Sequence, residues 1–204
     1  METSKGEGEI INITNVISRD FCVQEDVHLT IVRKLIACKD GNFVATDENG
    51  NIMFKVIEKI LSFHDRHVLL DAGGNPIVTF KKKKLSAHKR WQVFRGDSSD
   101  SADLLFSAKK SSIVQFKTEL DVFLSGNEEE NSWDFKVVGS WLERSCVIYG
   151  KDSTPIAKMH KKHTLGSIVL GKDTFDVHVY PQVDNAFIVA LVVILYEINK
   201  DKDD

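Results

Sequence analysis

With 204 residues, the chain is long enough for one large domain or two small ones. Its 42% apolar and 28% charged residues are ordinary for a globular protein, and a net charge of −3 argues against a chain-wide nucleic-acid surface. Cys22, Cys38 and Cys146 lack the short-spaced pairing that a disulfide framework or zinc site needs, which leaves reduced structural thiols in a cytoplasmic or nuclear setting.

The charged N-terminus has no apolar stretch behind it, so no secretory signal is expected. Residues 1–20 are read as a less ordered segment, followed by a single domain over 21–200. Hydrophobic alternation begins at 27–35 (VHLTIVRKL), where Val27, Leu29, Ile31 and Arg33 fall on one side. The runs 43–46 and 52–57 flank 47–51 (DENGN), and an Asn-Gly step between β-prone runs marks a hairpin because both residues tolerate positive φ. Further strands are expected at 67–71, 76–82, 91–95, 103–108, 113–117, 120–124, 133–138, 145–149, 155–161, 166–170 and 174–180. Turn-rich pieces such as 71–75 (DAGGN) and 150–154 (GKDST) separate them. About a dozen short strands, with no helical pattern before residue 183, predict a β-sandwich or barrel and not an α/β fold.

A faint internal repeat runs through these strands. Residues 69–84 (LLDAGGNPIVTFKKKK) and 148–163 (IYGKDSTPIAKMHKKH) share Pro-Ile and Lys-Lys at an offset of 79. Phe54–Val56 and Phe135–Val137 both read FKV, at an offset of 81. Two similar halves closing one barrel would produce this pattern, as would chance likeness between hairpins.

After the strand at 174–180, Pro181 stops the ladder, and Asp184 or Asn185 can cap a helix expected over about 185–198. The run Ala186–Tyr196 (AFIVALVVILY) has no polar face, so it must be buried on every side. Its eleven residues span about 16–17 Å, against roughly 30 Å of bilayer hydrocarbon, and Asp184, Glu197, Lys200 and Asp201 bracket it. A protein core is therefore the expected surrounding, and no transmembrane span is expected. A buried strand is the competing reading, since Val and Ile favour strands, but the run is long for one.

A β-barrel followed by a wholly apolar helix resembles the LURP-one-related family of plants, which is similar in fold to the tubby C-terminal domain and the phospholipid scramblases. The stretches that carry the resemblance are 69–78 (LLDAGGNPIV), 82–96 (KKKLSAHKRWQVFRG), 143–149 (ERSCVIY), 170–175 (LGKDTF) and 180–195 (YPQVDNAFIVALVVIL). The resemblance implies a mostly β fold, a closed antiparallel barrel of about twelve strands around a central hydrophobic C-terminal helix.

The strongest chemical feature is basic. Residues 81–95 (KKKKLSAHKRWQVFR) hold seven Lys/Arg and no acid, which leaves 20 basic against 30 acidic residues, a net −10, elsewhere. Such a patch suits a polyanionic partner. Tubby domains bind phosphoinositides through barrel-surface cations, and on that analogy Lys81, Lys82, Lys83, Lys84, Lys89 and Arg90 are the candidate anion- or lipid-binding residues. The plain alternative is a solvated lysine edge that blocks strand-to-strand aggregation. If Val78 and Phe80 face the core, Lys81 and Lys83 share the solvent face, and Lys82 and Lys84 must leave the other face by a bulge or strand end. Trp91 and Phe94 could stack bases or sit at a lipid interface, but their alternating context favours core packing.

Other chemistry finds little support. The pairs His64/His67 and His160/His163 point to opposite strand faces and do not converge on a metal. The acidic loop 97–103 (DSSDSAD) lacks the glycine and final glutamate of an EF-hand, and Ser145-Cys146 has no nucleophile elbow. No glycine-rich phosphate loop occurs, and no cofactor or catalytic residue is expected. The expected function is a non-enzymatic binding or regulatory module that meets anionic phospholipid or a protein partner. A nucleic-acid-associated regulator and a lipid-handling protein of scramblase type are the alternatives. The expected location is cytoplasmic, peripheral at a membrane or nuclear.

Overall fold

Alternation along a strand sends every second side chain inward, and an apolar helix gives all of those side chains one partner. The computed structural model describes residues 13–38, 41–59, 66–83, 86, 88–112, 117–141, 145–162 and 173–200. Its twelve strands close into one antiparallel barrel. In chain order they are β1 Val27–Cys38, β2 Gly41–Thr46, β3 Ile52–Glu58, β4 Arg66–Asp71, β5 Pro76–Lys82, β6 Trp91–Arg95, β7 Leu104–Lys110, β8 Thr118–Leu124, β9 Phe135–Ser140, β10 Ser145–Tyr149, β11 Pro155–Lys162 and β12 Thr174–Val179. Each pairs with its chain neighbour, and β1 closes the circle on β12 from Val27↔Val179 to Val32↔Thr174. The strands expected at 113–117 and 166–170 lie outside the described residues, apart from Lys117, which precedes β8.

The helix α1, Asn185–Asn199, is the barrel's filling, with all 15 of its residues buried. No helix among the described residues is long and apolar enough to cross a membrane. Aromatic contacts fasten it at two levels. Near its start Phe187 meets Phe106 and Phe135, with ring centroids 5.2 and 4.8 Å away. Near its end Tyr196 meets Phe43 at 5.3 Å and Trp141 at 6.0 Å, and the Arg33 guanidinium lies 4.9 Å from the Tyr196 ring centroid. Arg33 thus shares the inward side of β1 with Leu29 and Ile31, as the alternation predicts, and its charge sits at the barrel mouth.

Asp184 is the helix cap, and it does more than cap. One carboxylate oxygen accepts the Phe187 N–H at 3.1 Å. The other accepts the N–H groups of Val16, Ile17 and Ser18 at 3.3, 2.7 and 3.0 Å. Thr14 and Cys22 bridge to Val183 and Asp184 through the backbone. Burial pushes the Asp184 carboxyl above the usual range, and the backbone donors oppose that shift. Residues 13–20, which the sequence reading set apart with 1–12 as a less ordered segment, are therefore stitched to the helix start, whereas residues 1–12 lie outside the described residues.

Three hairpin turns share one hydrogen-bond frame, and two of them lie within the repeat. In 47–51 (DENGN), Asp47 N–H donates to the Asn51 carbonyl at 3.0 Å and Gly50 N–H to the Asp47 carbonyl at 3.1 Å. In 71–75 (DAGGN) the equivalent bonds, Asp71 to Asn75 and Gly74 to Asp71, are 3.0 and 3.1 Å. In 150–154 (GKDST) the same frame recurs, with Gly150 to Thr154 and Ser153 to Gly150 at 2.9 Å each. The fourth residue of each turn has positive φ: +81° at Gly50, +88° at Gly74 and +63° at Ser153. Both β4–β5 and β10–β11 then shift register at the turn-proximal pair, Leu70↔Pro76 and Tyr149↔Pro155, again 79 residues apart.

Candidate anion-binding surface

The basic segment starts on β5, where Val78 and Phe80 are fully buried and Lys81 points outward between Arg66 and Gln92. Lys82 shares the inward row with its cross-strand partner Trp91, and the strand ends there, which lets its ammonium leave at the rim. Lys83 is exposed beyond the strand end, and its N–H donates to the Arg90 carbonyl at 2.9 Å. Lys84 lies outside the described residues. Among the described residues, none of Lys81, Lys82 and Lys83 forms an ion pair with a carboxylate.

Lys89 and Arg90 belong to different surroundings. The Lys89 ammonium donates to the Ile198 carbonyl at 3.3 Å, so it serves the C-terminal end of α1, where carbonyls lack helical partners. Arg90 forks onto Glu130, with Nη1 on Oε1 and Nη2 on Oε2 at 2.7 Å, and Nη1 also donates to Ser107 Oγ at 2.7 Å. Lys109 completes the cluster, 2.5 Å from Glu130 Oε2 and 4.6 Å from the Phe123 ring centroid. The Arg90 and Lys109 donors hold the Glu130 carboxyl down at about 2, against an ordinary 4.5. A second neutralised pair lies on the neighbouring wall, where Lys59 and Arg66 reach Asp97 at 2.6 and 2.5 Å.

Trp91 and Phe94 are buried, the former against α1's end of the core and the latter on the outer wall, so neither is a stacking platform. His67 is buried beside Glu197, with Nε2 3.8 Å from its carboxylate, and His160 is exposed on β11, while His64 and His163 lie outside the described residues. No group of three or more His, Cys, Asp or Glu among the described residues could hold a metal ion. Burial pushes the Cys146 thiol up to about 12 and raises that of Cys22, so neither is poised as a thiolate. A groove of about 490 Å³ on the wall of β1, β11 and β12 carries His28, His160, His178 and Lys158, but Glu48 and Asp176 line it too.

Glu130, Lys109 and Ser107 had no sequence signal as site residues. Glu130 is 40 positions from Arg90, and only the adjacency of β6 and β7 with the fold-back of 125–134 brings them together.

Residues 27–196 match the family model described as LURP-one-related. The chain is similar to Protein LURP-one-related 15 of Arabidopsis thaliana, with 53% identity over 187 residues, 91% of this chain and 86% of that protein. It is similar also to Protein LURP1 of the same plant, with 45% identity over 186 residues, 91% of this chain and 90% of that protein. A crystal structure of an Arabidopsis thaliana protein shares the fold with a TM-score of 0.70 and 45% identity, covering 90% of this chain and 98% of that one.

Proposed function

Because the chain belongs to the LURP-one-related family, we propose that it is a non-enzymatic binding module that docks on anionic phospholipid of the phosphoinositide class. The observation that carries this reading is the division of the basic segment. Within it Arg90 and Lys89 are spent on protein partners, as Lys59 and Arg66 are outside it, whereas Lys81, Lys82 and Lys83 stand at one rim of the barrel with no carboxylate partner among the described residues. Each such cation contributes about 1 kcal/mol near an anionic bilayer, with Lys81 leaving from the outer wall and Lys82 and Lys83 at the strand end. The likeness to tubby domains, whose barrel-surface cations bind phosphoinositides, supports the same reading.

Flotation with vesicles containing a phosphatidylinositol phosphate tests it. Wild type should float at low salt and be released as salt rises, and Lys81→Glu/Lys82→Glu/Lys83→Glu should lower binding at least about tenfold while melting like wild type. Absence of flotation at low salt sinks the lipid reading. Binding to duplex DNA at equal ionic strength, without vesicle binding, would assign the same cations to nucleic acid instead.

A further inference from the structure

We infer that Arg90, Lys109 and Ser107 form a second anion site, one for a phosphorylated group, that Glu130 occupies from within the chain as a carboxylate stand-in. The donors are those a phosphate selects, a guanidinium fork and an ammonium, with the Ser107 hydroxyl accepting from Arg90 and so orienting the fork. They come from neighbouring strands, since Arg90 immediately precedes β6 and Ser107 and Lys109 alternate outward on β7. Arg90 and Lys109 converge on a single carboxylate, with Arg90 Nη2 and Lys109 Nζ on the same oxygen, Glu130 Oε2, at 2.7 and 2.5 Å, and Ser107 braces Arg90 Nη1 beside it. Side-chain exposures of 17%, 24% and 22% for Arg90, Lys109 and Glu130 leave the cluster reachable from solvent.

The segment that carries Glu130 is built to let go at its tip. Its base is pinned independently by the buried Asp134, whose Oδ2 accepts Leu124 N–H at 2.9 Å and Asn127 Nδ2 at 2.8 Å. At the tip, Glu128 and Glu129 are exposed, Asn131 Nδ2 donates only locally to Glu129, and Glu130 holds a φ of +50°, a left-handed conformation that a glutamate adopts at a cost. Releasing Glu130 relieves that backbone and carries Glu128 and Glu129 away with it, which removes three carboxylates from the approach of an anion. Asp121, the cross-strand neighbour of Lys109, remains, but it faces Lys136 at 3.7 Å. A phosphate monoester, with about two negative charges near neutral pH, matches two full cations better than the single charge of Glu130 does.

This cluster uses side chains other than those of Lys81, Lys82 and Lys83, so variants of each can fail without the other. The test titrates the full-length chain and Glu130→Gln with inorganic pyrophosphate at low salt, followed by calorimetry and backbone amide shifts. Glu130→Gln should bind at least about tenfold more tightly than wild type, because the competing internal ligand is gone. Adding Arg90→Gln to Glu130→Gln should abolish the gain, and pyrophosphate should raise the melting temperature of Glu130→Gln more than that of wild type. A folded Glu130→Gln that binds no more tightly than wild type, or a gain that survives loss of Arg90, overturns the assignment. If Glu130→Gln does not fold, Glu130→Asp, which shortens the reach to Arg90 and keeps the charge, should show a smaller gain of the same sign, and its absence overturns the assignment equally. A vesicle arm identifies the source of the phosphate. Increased flotation of Glu130→Gln assigns the site to a lipid headgroup, and a gain confined to pyrophosphate assigns it to a soluble phosphate.

Discussion

Lys81 and Arg90 belong to one basic stretch of sequence, yet their surroundings differ completely. Arg90 is claimed by Glu130 and Ser107, whereas Lys81 has no carboxylate partner among the described residues. Such a difference sets a pH dependence. A carboxyl held at about 2 in the folded chain and near 4.5 when unfolded stabilises the fold in its ionised form, fully above 4.5, and that contribution is lost as pH falls toward 2. Wild type should therefore lose about 1–2 kcal/mol more stability than Glu130→Gln between those pH values, allowing for the partial exposure of the cluster. Urea unfolding of both proteins across that range measures it, and parallel curves would contradict the role given to Glu130. Residue type and spacing made the cations visible in the sequence. The counterion of Arg90 was not visible, because Glu130 reaches it only through a segment that folds back along the barrel wall.

At the scale of elements, alternation and turn chemistry were legible almost throughout. The hairpin at 47–51 forms where the Asn-Gly step marks it, although only Gly50 takes positive φ, and β5 stops at Lys82, a strand end of the kind that the facing of Val78 and Phe80 required. The apolar helix was legible from its length and lack of a polar face. Its attachment was not, because the donors that Asp184 receives come from residues 166–168 positions earlier. That carboxylate joins the helix start to the N-terminal segment, so Asp184→Ala leaves four backbone N–H groups without their acceptor. The expected cost is about 2–4 kcal/mol, more than an ordinary cap. Thermal unfolding and proteolysis before residue 20 should both report it, and a loss below about 1 kcal/mol would reduce Asp184 to a simple helix cap.

For the whole molecule, the barrel and its helix turn a local fact about lysines into a surface. The helix fills the core with all 15 of its residues buried, so the proposed binding belongs to the rims and the outer wall. At the rim where α1 ends, Lys89 and Lys200 serve the helix terminus and Glu197, Arg33 covers Tyr196, and Lys81, Lys82 and Lys83 stand with no carboxylate partner among the described residues. The hairpin turns at 71–75 and 150–154 share a hydrogen-bond frame 79 residues apart, and the cationic rim belongs to the β5–β6 region. The direct measurement of this division compares vesicle binding by Lys81→Gln/Lys83→Gln with that by Arg90→Gln, each at matched stability and low salt. The first should lose most of its affinity for phosphoinositide vesicles, and the second, with Glu130 intact, should keep it. Equal losses in the two variants, or none in the first, would contradict the account.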